Sequence, residues 1–82
     1  MRKDLNRIKI VLAEHKCSNK RLAELLGKDP ATVSKWCANA AQPGLQTLSR
    51  IAEIFDIDIR TLIMPSKEEE PEVVYMKMTK VL

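Results

Sequence analysis

Apolar residues recur along the first two-thirds of this chain at the three- and four-residue spacing of helices that bury one face. Leu5, Ile8 and Leu12, with Val11 beside them, predict an amphipathic first helix over residues 4–16, with Arg7, Lys9 and Glu14 elsewhere around it. A second stripe, Leu22, Ala23 and Leu26, predicts helix two from Asn19 to Leu26, and the small Ala23 lets a neighbouring helix approach closely. Val33 and Trp36 mark the inner face of a third helix over residues 30–38, which leaves Ala31, Thr32, Ser34 and Lys35 on its outer face. Leu48, Ile51, Ala52 and Phe55 repeat within helix four, LQTLSRIAEIF, and Asp58 caps a short fifth helix that holds Ile59, Leu62 and Ile63. Five helices joined by short turns predict an all-α domain over residues 1–64.

The residues between the stripes say where the helices stop. Ser18 is a good N-cap, and Cys17 and Leu22 stand at the two positions of a hydrophobic staple. Gly27 ends helix two because glycine adopts the left-handed conformation without steric cost, and Asp29-Pro30 supplies an N-cap and an N1 proline for helix three. Asn39 is the expected left-handed cap of helix three, and Pro43-Gly44 marks the next turn. Two capped helices across Gly27-Lys28-Asp29 have the turn length and chemistry of a helix-turn-helix, a motif whose second helix enters a DNA major groove.

Beyond Met64 the composition changes. Residues 65–72, with the run SKEEEPE, cannot bury enough apolar surface to order themselves and read as a charged, flexible linker. Residues 73–82 alternate Val74, Met76 and Met78 against Tyr75, Lys77 and Thr79, which suits a short β-strand. A lone strand is unstable, so this tail is expected to pair with a second subunit or a protein partner. The apolar cluster Ile57, Ile59, Ile63 and Met64 is the first expectation for a dimer interface and the tail is the second.

Charge adds direction to this pattern. The chain has 82 residues and a net charge of +3, but residues 1–35 carry nine Lys/Arg against four Asp/Glu and the remainder five against seven. The basic half is the half with the motif, which favours a polyanionic partner. So small a domain needs nearly all its apolar side chains for one core, which leaves little room for a catalytic cleft. No nucleophile–base set is visible, and His15 near the end of helix one reads as a surface or capping histidine, so no enzyme is expected. Cys17 and Cys37 lack metal-ligand spacing and read as small hydrophobes; no metal or other cofactor is expected. No apolar run reaches membrane-spanning length and the N-terminus does not have a signal-peptide pattern, so a cytoplasmic location away from membranes is expected.

The ordered set Arg7-Ile8-Lys9, Asn19 with LAELLG, TVSKW and QPGLQTLSRIAEIF resembles the lambda repressor and Cro-like helix-turn-helix regulators, the xenobiotic response element family, over roughly Arg7 to Ile63. That resemblance implies a transcriptional regulator, repressor-like, binding double-stranded DNA as a homodimer on a pseudopalindromic site. By position it implies base contacts from Ala31, Thr32 and Lys35, with Pro30 and Ser34 at their margin, and phosphate contacts from Asn19, Lys20, Asn39 and Gln42. Trp36, on the inner face with Val33, is expected to pack rather than stack on a base.

Three departures from the family's pattern bear on this. The Arg of helix one and the Glu after the Trp of helix three are both replaced, by Leu12 and Cys37, which are expected to touch; losing both members avoids stranding a buried charge. The loop Asn39-Ala40-Ala41-Gln42 carries no basic residue, and Asp29 stands where Ser is usual. Two other functions fit the same sequence. A DNA-binding antitoxin would fold its tail onto a toxin, and a helical adaptor binding only protein would suit the neutral loop.

Overall fold

A computed structural model describes residues 4–67. Four α-helices, α1 (Ile8–Glu14), α2 (Asn19–Leu26), α3 (Pro30–Cys37) and α4 (Leu45–Phe55), are followed by a 3₁₀ helix, Ile59–Leu62. The all-α class is therefore as expected, with the fifth helix reduced to a 3₁₀ turn. Asp58 caps it by accepting the Arg60 N–H at 2.8 Å. The linker is described only as far as Lys67, and the tail over residues 73–82 lies outside the described residues.

The core is assembled from one stripe per helix. Ile8, Leu22, Ile51, Leu62, Val11 and Val33 are fully buried, joined by Leu12, Ala23, Leu26, Trp36 and Ala52. Each large apolar side chain so buried contributes about 1.5–3 kcal/mol. Leu48, Phe55, Cys17 and Cys37 pack against this cluster from its edge. Leu12 and Cys37, the replacements for the family's ion pair, thus both belong to the apolar interior, Leu12 within the cluster and Cys37 against it. His15 lies at the surface, its ring 4.6 Å from that of Phe55.

All four α-helices end alike. Lys16, Gly27, Asn39 and Asp56 each adopt positive φ. In each case that residue and its successor donate back to the last helical turn, as in Gly27 N–H to Glu24 O (3.3 Å) and Lys28 N–H to Ala23 O (2.8 Å). These paired bonds form Schellman motifs, which satisfy carbonyls the helix leaves open. The sharp turns keep the connections short, which sets α3 across α2.

Helix one begins four residues later than its apolar periodicity suggests. Asn6 pairs with Ile63 in an antiparallel bridge. Around it the Arg7 N–H donates to Leu62 O (2.9 Å) and the Met64 N–H to Leu5 O (2.8 Å). The Asn6 side chain then accepts the Ile8 N–H at 2.9 Å, turning the chain into α1. Leu5 consequently leaves the buried stripe and is 54% exposed. The predicted dimer cluster is also divided. Ile57 and Ile59 pack on this domain's own core, while Ile63 is exposed and Met64 half-buried, beside Leu5 across the bridge.

Candidate nucleic-acid interface

The helix-turn-helix is built by local chemistry at both ends of its turn. Ser18 Oγ accepts the Arg21 N–H at 3.0 Å and starts α2, and Gly27 at φ 68° stops it. Asp29 Oδ1 then accepts the Ala31 N–H at 2.8 Å, with Pro30 as the first residue of α3. The carboxylate of Asp29 is thereby engaged in capping α3, the role a Ser would otherwise fill at this position.

Val33 and Trp36 anchor α3 in the core, so its opposite side is set by helical periodicity. Pro30, Ala31, Ser34 and Lys35 are exposed and Thr32 is half-buried. The candidate base-contacting residues therefore share one accessible face. Asn19 joins them from the start of α2, where its Nδ2 donates to Ser34 Oγ at 3.2 Å. Cys37 Sγ donates in turn to Asn19 Oδ1 at 3.4 Å. Burial pushes the Cys37 thiol up, with the nearby Lys9 ammonium pulling the other way. Lys20 is exposed on the first turn of α2.

One of the phosphate contacts expected from the resemblance does not fit the geometry. Asn39 is buried: its Oδ1 accepts the N–H groups of Leu5 and Asn6, both at 2.9 Å, and its Nδ2 donates to Asn6 O at 3.2 Å. The Gln42 amide is engaged at both ends, donating to Asn39 Oδ1 (3.1 Å) and accepting from Asn6 Nδ2 (2.7 Å). Asn6 Nδ2 also reaches the Trp36 carbonyl at 2.9 Å. The buried Asn6 and Asn39, with the exposed Gln42 bonded to both, fasten the end of α3 to the segment before α1. The left-handed turn at Asn39, correctly expected, is what aims its carboxamide at Asn6.

Sequence reasoning passed over Asn6, and it passed over Lys9 and Cys37 as neighbours of the interface. Lys9 was legible in part, since a lysine off the Leu5–Ile8–Leu12 stripe keeps its ammonium in water.

Among known proteins, the helix-turn-helix family matches residues 8–62. The solved structure of a candidate DNA-binding protein from Bacteroides fragilis is 50% identical in sequence, with a TM-score of 0.72 over 73% of this chain and 97% of its own. That of a transcriptional regulator from Listeria innocua is 21% identical, with a TM-score of 0.65 over 93% of this chain and 75% of its own, a likeness of fold. No curated protein matches the sequence. With its two capped helices, glycine turn and buried Val33–Trp36 anchor, the chain belongs to the lambda repressor/Cro-like helix-turn-helix family.

Proposed function

We propose that this protein binds specific double-stranded DNA sequences and regulates transcription, as a repressor-type homodimer on a pseudopalindromic site in the cytoplasm. The observation that carries this reading is the accessible face of α3, with Ala31, Ser34, Lys35 and part of Thr32 set beside Asn19. A helix anchored on its inner side and bare on its outer side is shaped for a major groove. The likeness to the Bacteroides fragilis protein, described as a candidate DNA-binding protein, supports the same conclusion.

In this reading Lys35 donates to guanine O6 or N7, Thr32 hydrogen-bonds or touches a thymine methyl, and Ala31 offers apolar contact, flanked by Pro30 and Ser34. Asn19 and Lys20 hold phosphates and set register. Asn39 is left out of the contacting set because it is buried with its amide engaged within the domain, while Gln42, exposed at the start of the loop before α4, stays a candidate phosphate contact. Dimerisation uses Ile63 and Met64 with Leu5, the part of the apolar cluster left after Ile57 and Ile59 pack against the core, and sets two recognition helices about 34 Å apart.

The test is a pair of substitutions assayed on a panel of duplexes. Lys35→Ala should flatten base preference, whereas Asn19→Ala should weaken binding to every sequence alike. Unaltered binding in both variants would refute the docking geometry.

A further inference from the structure

Arg7, Arg60, Ile63, Met64, Pro65 and Ser66 line an open groove of about 840 Å³ where the chain leaves the helical domain. Three of these side chains are apolar, and the net charge of the lining is positive. Arg60 is paired with Asp58 at 2.9 Å, so its charge is largely cancelled. Arg7 has no such partner, since the ion pairs among the described residues are Arg21–Glu24 and Asp58–Arg60. It is half-buried, and its Nη1 donates to the Thr61 carbonyl at 3.2 Å. That bond holds the guanidinium in place and leaves most of its five N–H groups for an acceptor. A planar fork held beside apolar side chains suits a carboxylate that brings its own methylenes.

The sequence supplies such groups at the edge of the groove. Ser66, part of its wall, and Lys67 stand in bends that turn the chain off the line of Ile63, Met64 and Pro65. Glu68, Glu69, Glu70, Pro71 and Glu72 come next, four carboxylates within five residues. At full extension a chain leaving Ser66 carries Glu68 about 7 Å and Glu70 about 14 Å away, so the run begins within reach of the groove. So short a tether gives an effective concentration on the order of millimolar, which favours this chain's own run over that of a second copy in dilute solution.

We propose that the acidic run Glu68–Glu70 of this chain folds back into the groove, with one carboxylate on the Arg7 guanidinium and the glutamate methylenes along Ile63 and Met64. The inference does not depend on DNA binding. It bears on the dimer reading, because the docked run covers two residues assigned there to the second copy, and the two then compete for one surface.

The experiment is a pH titration of the full chain by NMR, following the glutamate side-chain carboxyls and the Arg7 Nε–H. The urea-unfolded chain is the reference, because it retains the local effects of Lys67 and of neighbouring glutamates. One of Glu68, Glu69 and Glu70 should titrate about 0.2–0.7 pH units below that reference, as a solvent-exposed ion pair does, and the Arg7 Nε–H should move with the same midpoint. The lowered value should be lost in Arg7→Gln and kept in Arg21→Gln, which removes the same charge from the exposed pair on α2. Should Arg7→Gln not fold, the triple variant Glu68→Gln, Glu69→Gln, Glu70→Gln, altered outside the core, should abolish the Arg7 response while leaving Asp4 and Asp58 in place. Reference-like titration of all three glutamates, an Arg7 response that survives the triple variant, or a shift that fades on dilution as a second copy's tail would give, overturns the proposal. A chain that stays monomeric with these shifts present overturns the dimer reading alone.

Discussion

Asn39→Ala should be among the most destabilising single changes in this domain. The side chain is buried, and its Oδ1 accepts from Leu5 N–H, Asn6 N–H and Gln42 Nε2 while its Nδ2 donates to Asn6 O. Leu5 and Gln42 are exposed, so water can replace what they lose. The Asn6 N–H is buried and is left without a partner, at a cost of about 1–3 kcal/mol. Alanine must also hold φ near 57°, where a Cβ lacking a polar group adds about 1 kcal/mol relative to Asn. The sum, about 2–4 kcal/mol, is a large share of the roughly 3–10 kcal/mol typical of a domain this size. Thermal unfolding followed by circular dichroism should show a Tm lower by about 8–30 °C. Asn39→Gly, which relieves the backbone term alone, should recover about 1 kcal/mol of the loss, and its folded fraction should bind DNA with an unchanged salt slope. A loss under about 0.5 kcal/mol in Asn39→Ala, within the usual range of a surface change, would refute the inward role of this residue.

Other consequences are smaller. Lys16→Gly should raise stability by up to about 1 kcal/mol, because Lys16 holds φ 54°; urea unfolding measures the gain, net of glycine's greater freedom in the unfolded chain. Asp29→Ala removes the cap of α3 and should cost about 0.5–2 kcal/mol, with faster amide exchange in the first turn of that helix. Asp58 has its carboxyl held below the usual range by hydrogen bonds from the Arg60 side chain and backbone. Its contribution is present above the unfolded-state pKa and fades as pH falls through the lower folded value. Asp58→Asn should therefore flatten a small acid-side slope in stability, small because the pair is solvent-exposed.

Most of the scaffold was legible because its signals are local. Ser18, Gly27 and Asp29-Pro30 act within a turn of where they stand, and the Val33–Trp36 spacing alone assigns the two sides of α3. Where reading along the chain failed, the cause lay far away in sequence. Leu5 fits the stripe of helix one by spacing, but Asn6 meets Ile63 and Asn39, and those contacts draw Leu5 out of the helix. Asn39 was placed on a phosphate by position in the motif, but its partners Leu5 and Asn6 lie more than thirty residues away in sequence and hold it inside. The cleft lined by Lys9, Asn19, Ser34, Cys37 and Ala38 joins three helices, and spacing along any one of them does not reveal it.

The central claim is that the face of α3 reads a DNA sequence, and selection of bound duplexes from a random pool tests it most directly. The expected result is enrichment of a two-fold related site with half-sites centred one helical turn apart, lost in a pool selected by Lys35→Ala. Recovery of unenriched sequences, or no retention of any duplex at low salt, would contradict it.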